Sequence, residues 1–272
     1  MDYFVPAIRQ YCFPGKTQAL YGEITSAFYR TGGQARHDLA LEYQQEHVDR
    51  PYWGTPLLVG PGTSVVGEGR ILEGTRFKNY NSADGIYEQT VKWARSILEW
   101  KPSDTLSLRN TAYFYDALRD YRNVEVYRFN AANTLVARSS PLLQRHDQQL
   151  KGNRIEAVLQ STLFGRPSTW ALGADYSINR QTRFPNSLSL TVSSVNPLNF
   201  STENFFSIPG MTPGFRADRT VEVNTLALSL ENQTRLTPTL SLITALRHDK
   251  INLDLTNHRT VSATSPASYS RD

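Results

Sequence analysis

The sequence predicts an all-β chain: an antiparallel transmembrane β-barrel segment of about eight strands in four hairpins, with short turns at one end and long loops at the other. Three observations lead there. Strand-favouring aromatics are abundant, with Tyr 14, Phe 12 and Trp 4 beside only Met 2, and polar residues fill the spaces between them. Segments of period two recur along the chain, as where Trp170, Leu172, Ala174, Tyr176 and Ile178 alternate with Ala171, Gly173, Asp175, Ser177 and Asn179. Every short turn follows one strand direction and every long loop the other, the asymmetry of periplasmic turns and extracellular loops in an outer-membrane barrel. Alternation alone also fits a soluble sheet with one packed and one wet face.

The first hairpin pairs ALYGEITSAFYR (19–30) with HDLALEYQQEH (37–47) across Thr31-Gly32-Gly33. The second pairs YEQTVKWARSILEW (87–100) with TLSLRNTAYFYDAL (105–118) across Lys101-Pro102-Ser103-Asp104. The third runs NRIEAVLQSTLF (153–164), a turn at Gly165-Arg166-Pro167-Ser168, and the segment around Trp170. In the fourth, VEVNTLALSLENQTRL (221–236) turns at Thr237-Pro238 into TLSLITALRHDKINLDL (239–255). Gly, Pro, Ser and Asp supply the dihedrals of tight reversals. Between hairpins the reading expects loops of roughly 30 to 40 residues, against a usual connection of about 4 to 6.

Side-chain faces follow from the alternation. Ile155, Ala157, Leu159 and Leu163 oppose Glu156, Gln160 and Thr162; Leu226, Leu228 and Leu230 oppose Thr225, Ala227, Ser229 and Glu231; Leu240, Leu242 and Leu246 oppose Ser241, Ala245, Arg247 and Asp249. A face that carries Glu, Arg and Asp suits a water-filled bore, because unpaired ions are costly in a packed interior. It equally suits the solvent side of a soluble sheet. Two stretches break the pattern: Arg95 shares a row with Val91, Trp93 and Ile97, and after Asp249 the apolar residues Ile251, Leu253 and Leu255 fall in the polar row. A bulge or an extension above the membrane would shift phase in this way. Tyr29, Trp100 and Trp170 stand near short turns, and Tyr43, Tyr87, Tyr113 and Tyr115 towards long loops, positions that membrane interfaces favour.

The formal charge is +4, with 29 basic and 25 acidic residues and no basic block, which argues against nucleic acid as a partner. The lone Cys12 forms no disulfide within the chain. The opening residues carry no basic leader followed by an apolar stretch, so no signal peptide is expected in this chain, and no apolar run reaches the about 20 residues of a membrane helix. In His37-Asp38, His146-Asp147 and His248-Asp249, strand neighbours point to opposite faces, so none makes a metal or acid–base site. No P-loop, G-x-S-x-G or H-E-x-x-H occurs, and GPGTSVVGEGR (60–70) reads as a loop; no enzyme activity and no cofactor are expected.

Three stretches resemble one family. LALSLENQTRLTPTLSLITALRHDKINLDL resembles the barrel hairpin of TonB-dependent ferric-siderophore receptors, which turns tightly and returns as G-x-R-x-D; here Ala245 replaces the usual Gly and His248 a frequent Tyr. EYQQEHVDRPYWGTPLLVG is similar to their loop with a D-x-P-x-x-G-x-P core, carried by Asp49, Pro51, Gly54 and Pro56. TRFKNYNSADGIYEQTVKWARSILEWKPSDTLSLRNTAYFY is similar to the hairpin that follows. The resemblance implies a partial receptor barrel over 17–257, an unassigned segment at 1–16 and a loop or truncated tail at 258–272. It implies residence in the Gram-negative outer membrane, contact with its lipid, and a ferric siderophore as ligand. TonB would act only through a plug domain, which this chain is expected to lack, so that it would not transport alone. Ligand contacts are expected from loop and upper-bore aromatics and cations: Tyr52 and Trp53 in the first long loop, Tyr115, Arg119, Tyr121 and Arg122 opening the second, and Phe184, Phe205 and Phe206 in the third. A small closed structural or adhesive barrel and a soluble carbohydrate-binding domain are the alternatives.

Overall fold

The computed structural model describes residues 17–31, 34–60, 70–259 and 268–271. The strands are β1 (Thr17–Thr31), β2 (Ala35–Asp49), β3 (Ile86–Trp100), β4 (Leu106–Phe129), β5 (Val136–Leu163), β6 (Arg166–Ser187), the short β7 (Thr191–Val195), β8 (Arg219–Arg235), β9 (Ser241–Asn257) and the short β10 (Ser268–Arg271). All pairings are antiparallel, in the order β1-β2-β3-β4-β5-β6-β8-β9-β10, with β7 against β5. Among the described residues this sheet does not close on itself. The eight long strands are those of the four expected hairpins. Within 258–272, expected as loop or tail, Ser268–Arg271 pairs with β9. The segments 1–16 and 61–69, the latter within the Gly-rich stretch, lie outside the described residues.

The turn of the third hairpin lies one residue earlier than the sequence suggests. Leu163 pairs directly with Arg166, and the two residues between them, Phe164 (φ 50) and Gly165 (φ 74), both adopt positive φ. That backbone matches the twist of the flanking strands, and Gly takes it without strain.

The intervals between hairpins correct the expectation more substantially. The connections at 50–85 and 188–218 are long, but β4 and β5 run on for 24 and 28 residues and meet across only 130–135. Tyr115, Arg119, Tyr121 and Arg122 therefore lie within β4 rather than in a loop. A membrane strand needs about 9–11 residues. Taking Trp170–Ile178 as the span on β6, with Lys151–Leu159 and Leu106–Phe114 beside it, roughly half of each of these strands stands above the membrane.

Register determines the two faces across the whole sheet. One row runs Trp100, Leu108, Ala157, Leu172, Leu230, Leu246; another runs Leu41, Ala94, Phe114, Lys151, Ile178. Apolar side chains on this face stay exposed, Leu41 at 45% and Leu246 at 71%, as lipid contact requires. Polar groups here satisfy one another: Asn110 and Asn153 exchange hydrogen bonds of 2.7 and 3.2 Å, and His37 Nε2 lies 2.7 Å from Ser96 Oγ. The next row upward, Tyr43, Lys92, Asp116, Gln149, Arg180, is polar throughout.

Both irregular stretches lie on the inner face, with no bulge. Pairing stays in step from Arg219↔Asn257 to Arg235↔Ser241, so Ile251, Leu253 and Leu255 meet Thr225, Val223 and Val221 on the bore side. Arg95 shares that side with Trp93 and forms an ion pair with Glu42. Tyr87, Tyr113 and Tyr115 are likewise inward, whereas Tyr43, Trp100 and Trp170 face outward. At Gly152 an added Cβ would come within 2.5 Å of the Tyr113 ring and 2.7 Å of the Tyr176 carbonyl, so glycine lets Tyr113 lie flat across β5.

The hydrophobic core sits above the membrane, where the long connections pack on the extended β4–β5 hairpin. One cluster joins Val124 and Leu143 to Phe205, Ile208 and Met211; a second joins Tyr80, Phe129 and Val136 to Leu58, Leu72 and Phe200. Arg138, fully buried, donates to the Tyr80 carbonyl at 2.6 Å and to both Glu203 oxygens at 2.8 Å, linking the two connections. Asn81 ties the first connection to β4, donating to Asn123 Oδ1 and accepting from the Val124 N–H.

Candidate ligand site on the upper inner wall

The inner wall has two electrostatic zones. Near the short turns, one row runs Arg36, Glu99, Arg109, Glu156, Gly173, Ser229, Arg247, and the row above it Asp38, Ile97, Thr111, Arg154, Asp175, Ala227, Asp249. Here guanidinium groups are matched by carboxylates: Arg36–Asp38 at 2.9 Å, Arg109–Glu99 at 3.9 Å, Arg154–Glu156 at 3.0 Å and Arg247–Asp249 at 2.8 Å. Asp175 accepts the Tyr113 hydroxyl at 3.1 Å.

Higher on the same face the matching stops. Arg119 on β4, His146 on β5, Arg183 on β6 and Arg219 on β8 stand side by side in one row. Arg219 has Asp218 at 3.4 Å, but among the described residues no carboxylate pairs with Arg119 or Arg183. The nearest acids in sequence, Asp120 and Asp147, project from the other face, where Asp120 receives two hydrogen bonds from Arg145 at 2.7 and 2.6 Å. Arg119 Nε donates to Gln89 Oε1 at 3.0 Å. Burial, reinforced by Arg183 and Arg119, holds the His146 pKa below the ordinary imidazole value, so this residue is neutral at pH 7. Its Nε2 is buried without a hydrogen-bond partner among the described residues.

Aromatic rings flank this row. Tyr87 and Tyr121 stack at 6.4 Å, Tyr121 meets the His146 ring edge-on at 6.1 Å, and Trp93 meets Tyr115 edge-on at 5.0 Å. Flat apolar surface beside fixed donors can hold a bulky ligand that carries anionic oxygens.

Of the residues singled out from sequence, Tyr115, Arg119 and Tyr121 come together here. Arg122 points from the opposite face; its Nε donates to the Asp84 carbonyl at 2.9 Å, and it borders a cleft of about 590 Å³ with Asp49, Arg50 and Asp84. Phe206 lies beneath that guanidinium at 5.6 Å, and Phe184 faces outward opposite Arg145. Tyr52 and Trp53 are exposed in the first connection, with the Tyr52 hydroxyl donating to the Arg76 carbonyl at 2.6 Å. Phe205, expected as a ligand contact, is instead a core residue at 0% exposure, packed in the cluster with Ile208 and Met211. His146, Arg183 and Arg219 escaped sequence reading because they are distant in the chain and only strand pairing aligns them.

Comparison with known proteins agrees with this architecture. A family model described as TonB dependent receptor-like, beta-barrel matches residues 16–272. Among solved structures, the siderophore receptor PiuA from Acinetobacter baumannii superposes with a TM-score of 0.73 at 20% identity, over 93% of this chain and 37% of that one. The ferric preacinetobactin receptor BauA from the same organism gives 0.70 at 16% identity, over 93% and 36%. The ferric-catecholate import receptor Fiu from E. coli K12 gives 0.71 at 14% identity, over 93% and 38%. The chain thus spans little more than a third of the length of these receptors. No curated protein sequence matches it. A bore-like inner wall, an exposed apolar outer face and a family match across nearly the whole length lead to one conclusion: the chain belongs to the TonB-dependent receptor-like β-barrel family.

Proposed function

We propose that this chain is part of an outer-membrane receptor for uptake of a ferric siderophore, with lipid against its outer face and TonB acting through a plug domain. The ligand would enter from the side of the long connections and rest on the upper inner wall. The observation that carries this reading is the juxtaposition of Tyr87, Tyr115 and Tyr121 with Arg119 and Arg183 above the membrane span, facing the bore. The named ligands of the structural neighbours support the same class. The rigid connection assembly around Arg138–Glu203 would hold one side of the ligand's entrance in place.

The test is iron-limited growth and radiolabelled iron accumulation in the native host, with and without the gene, across a panel of ferric siderophores. Loss of uptake for at least one of them is expected. Unchanged uptake for every chelate would overturn the reading.

A further inference from the structure

Resting on the uptake reading above, we propose that the ligand is a ferric chelate of net negative charge, its outer oxygens held between the Arg119 and Arg183 guanidinium groups across His146. Like groups directly opposite on neighbouring strands destabilise a sheet, and acids on the same face are the ordinary remedy. The lower wall uses that remedy throughout: Arg36, Arg109, Arg154 and Arg247 each have a carboxylate within 2.8 to 3.9 Å. In the upper row Arg219 has Asp218 at 3.4 Å, but among the described residues Arg119 and Arg183 have no carboxylate at such a distance. Asp120 and Asp147 lie next to Arg119 and His146 in sequence yet face outward, and Glu46, in the same row, is two strands away from Arg119 on β2. Arg119 and Arg183 thus flank His146 with no carboxylate paired to either among the described residues.

The spacing suits a chelate. Arg119 and Arg183 sit two strands apart, about 10 Å at ordinary strand separation. Each guanidinium can take two oxygens in its fork, and the residue between them in the row is His146, whose buried Nε2 has no partner among the described residues. The stacked Tyr87 and Tyr121 rings offer a flat wall alongside. A neutral chelate would leave both guanidinium groups without a counter-charge; an anionic one supplies it.

The test uses the intact receptor purified in detergent and two probes, a ferric tris-catecholate of charge −3 and an uncharged ferric tris-hydroxamate. The anionic probe should bind more tightly, with affinity that falls as salt rises. The paired substitution Arg119→Gln with Arg183→Gln should weaken it about 10- to 100-fold, while Arg119→Lys with Arg183→Lys retains most of the affinity. Equal or tighter binding of the hydroxamate, or an unchanged affinity in the glutamine variant, overturns the proposal and leaves the uptake reading standing. If the glutamine variant loses its heat-modifiable gel mobility, the salt titration of the unaltered receptor decides: salt-independent affinity for the catecholate overturns the proposal. Failure of every ferric chelate to bind overturns both.

Discussion

Arg36-His37-Asp38 and Arg247-His248-Asp249, low on the wall, send arginine and aspartate into the bore and histidine outward; Arg145-His146-Asp147, higher up, does the reverse. The three tripeptides are identical, and only their phase in the strand differs. Low on the wall, the phase places an ion pair on the bore surface and closes the local charge balance. High on the wall, it moves the balancing acids outside, where Asp120 takes Arg145, and leaves His146 between Arg119 and Arg183. A two-residue period turns one motif into either a neutral lining or part of a cationic seat.

Three variants would sharpen or break this contrast, and the largest effect concerns neither zone. The Arg138–Glu203 pair joins a fully buried guanidinium to a partly exposed carboxylate. Arg138→Met removes the hydrogen bonds to Tyr80, Ser193 and Glu203 and should loosen the connections by about 1.5–3 kcal/mol, seen as faster proteolysis at 188–218 with the barrel's heat-modifiable mobility retained. Burial alone would raise the Glu203 pKa, but hydrogen bonds from Arg138, its own backbone N–H and Ser193 hold it below its ordinary 4.5. The sign follows: the stabilisation is complete above that value and is lost as pH falls through the lowered one, so protection of these connections should drop only below about pH 4.5.

His146→Glu comes next. It places a carboxylate directly between Arg119 and Arg183, and two opposite-charge pairs of about 0.2–1 kcal/mol each should raise the thermal midpoint while abolishing binding of the anionic chelate. A lowered midpoint would mean that Arg119 and Arg183 are already compensated. Smallest of all is Asp249→Asn. Its partner Arg247 is fully exposed in the lower wall, so neither the unfolding midpoint nor ligand affinity should move. A loss of affinity in this variant would erase the distinction between the two zones.

The hairpins and their turns were legible because strand alternation and turn residues are local. Leu226, Leu228 and Leu230 declare an apolar face by spacing alone, and the structure keeps all three outward. The β4–β5 extension was not legible: 119–150 is too polar to look like membrane strand, since above the bilayer its faces meet water and neighbouring connections instead of lipid. Phe205 was misread for a related reason. An aromatic in a long connection looks available until the connection proves to have a core of its own.

Sequence by itself determined that this chain builds strands with two unlike faces, because side chains alternate with a period of two whatever the partner strand. Tertiary structure decided which residues from different strands share a row, and therefore where charges cancel. Residues 119, 146 and 183 become neighbours only through hydrogen-bonded register, and electrostatic interaction depends on distance in space rather than along the chain.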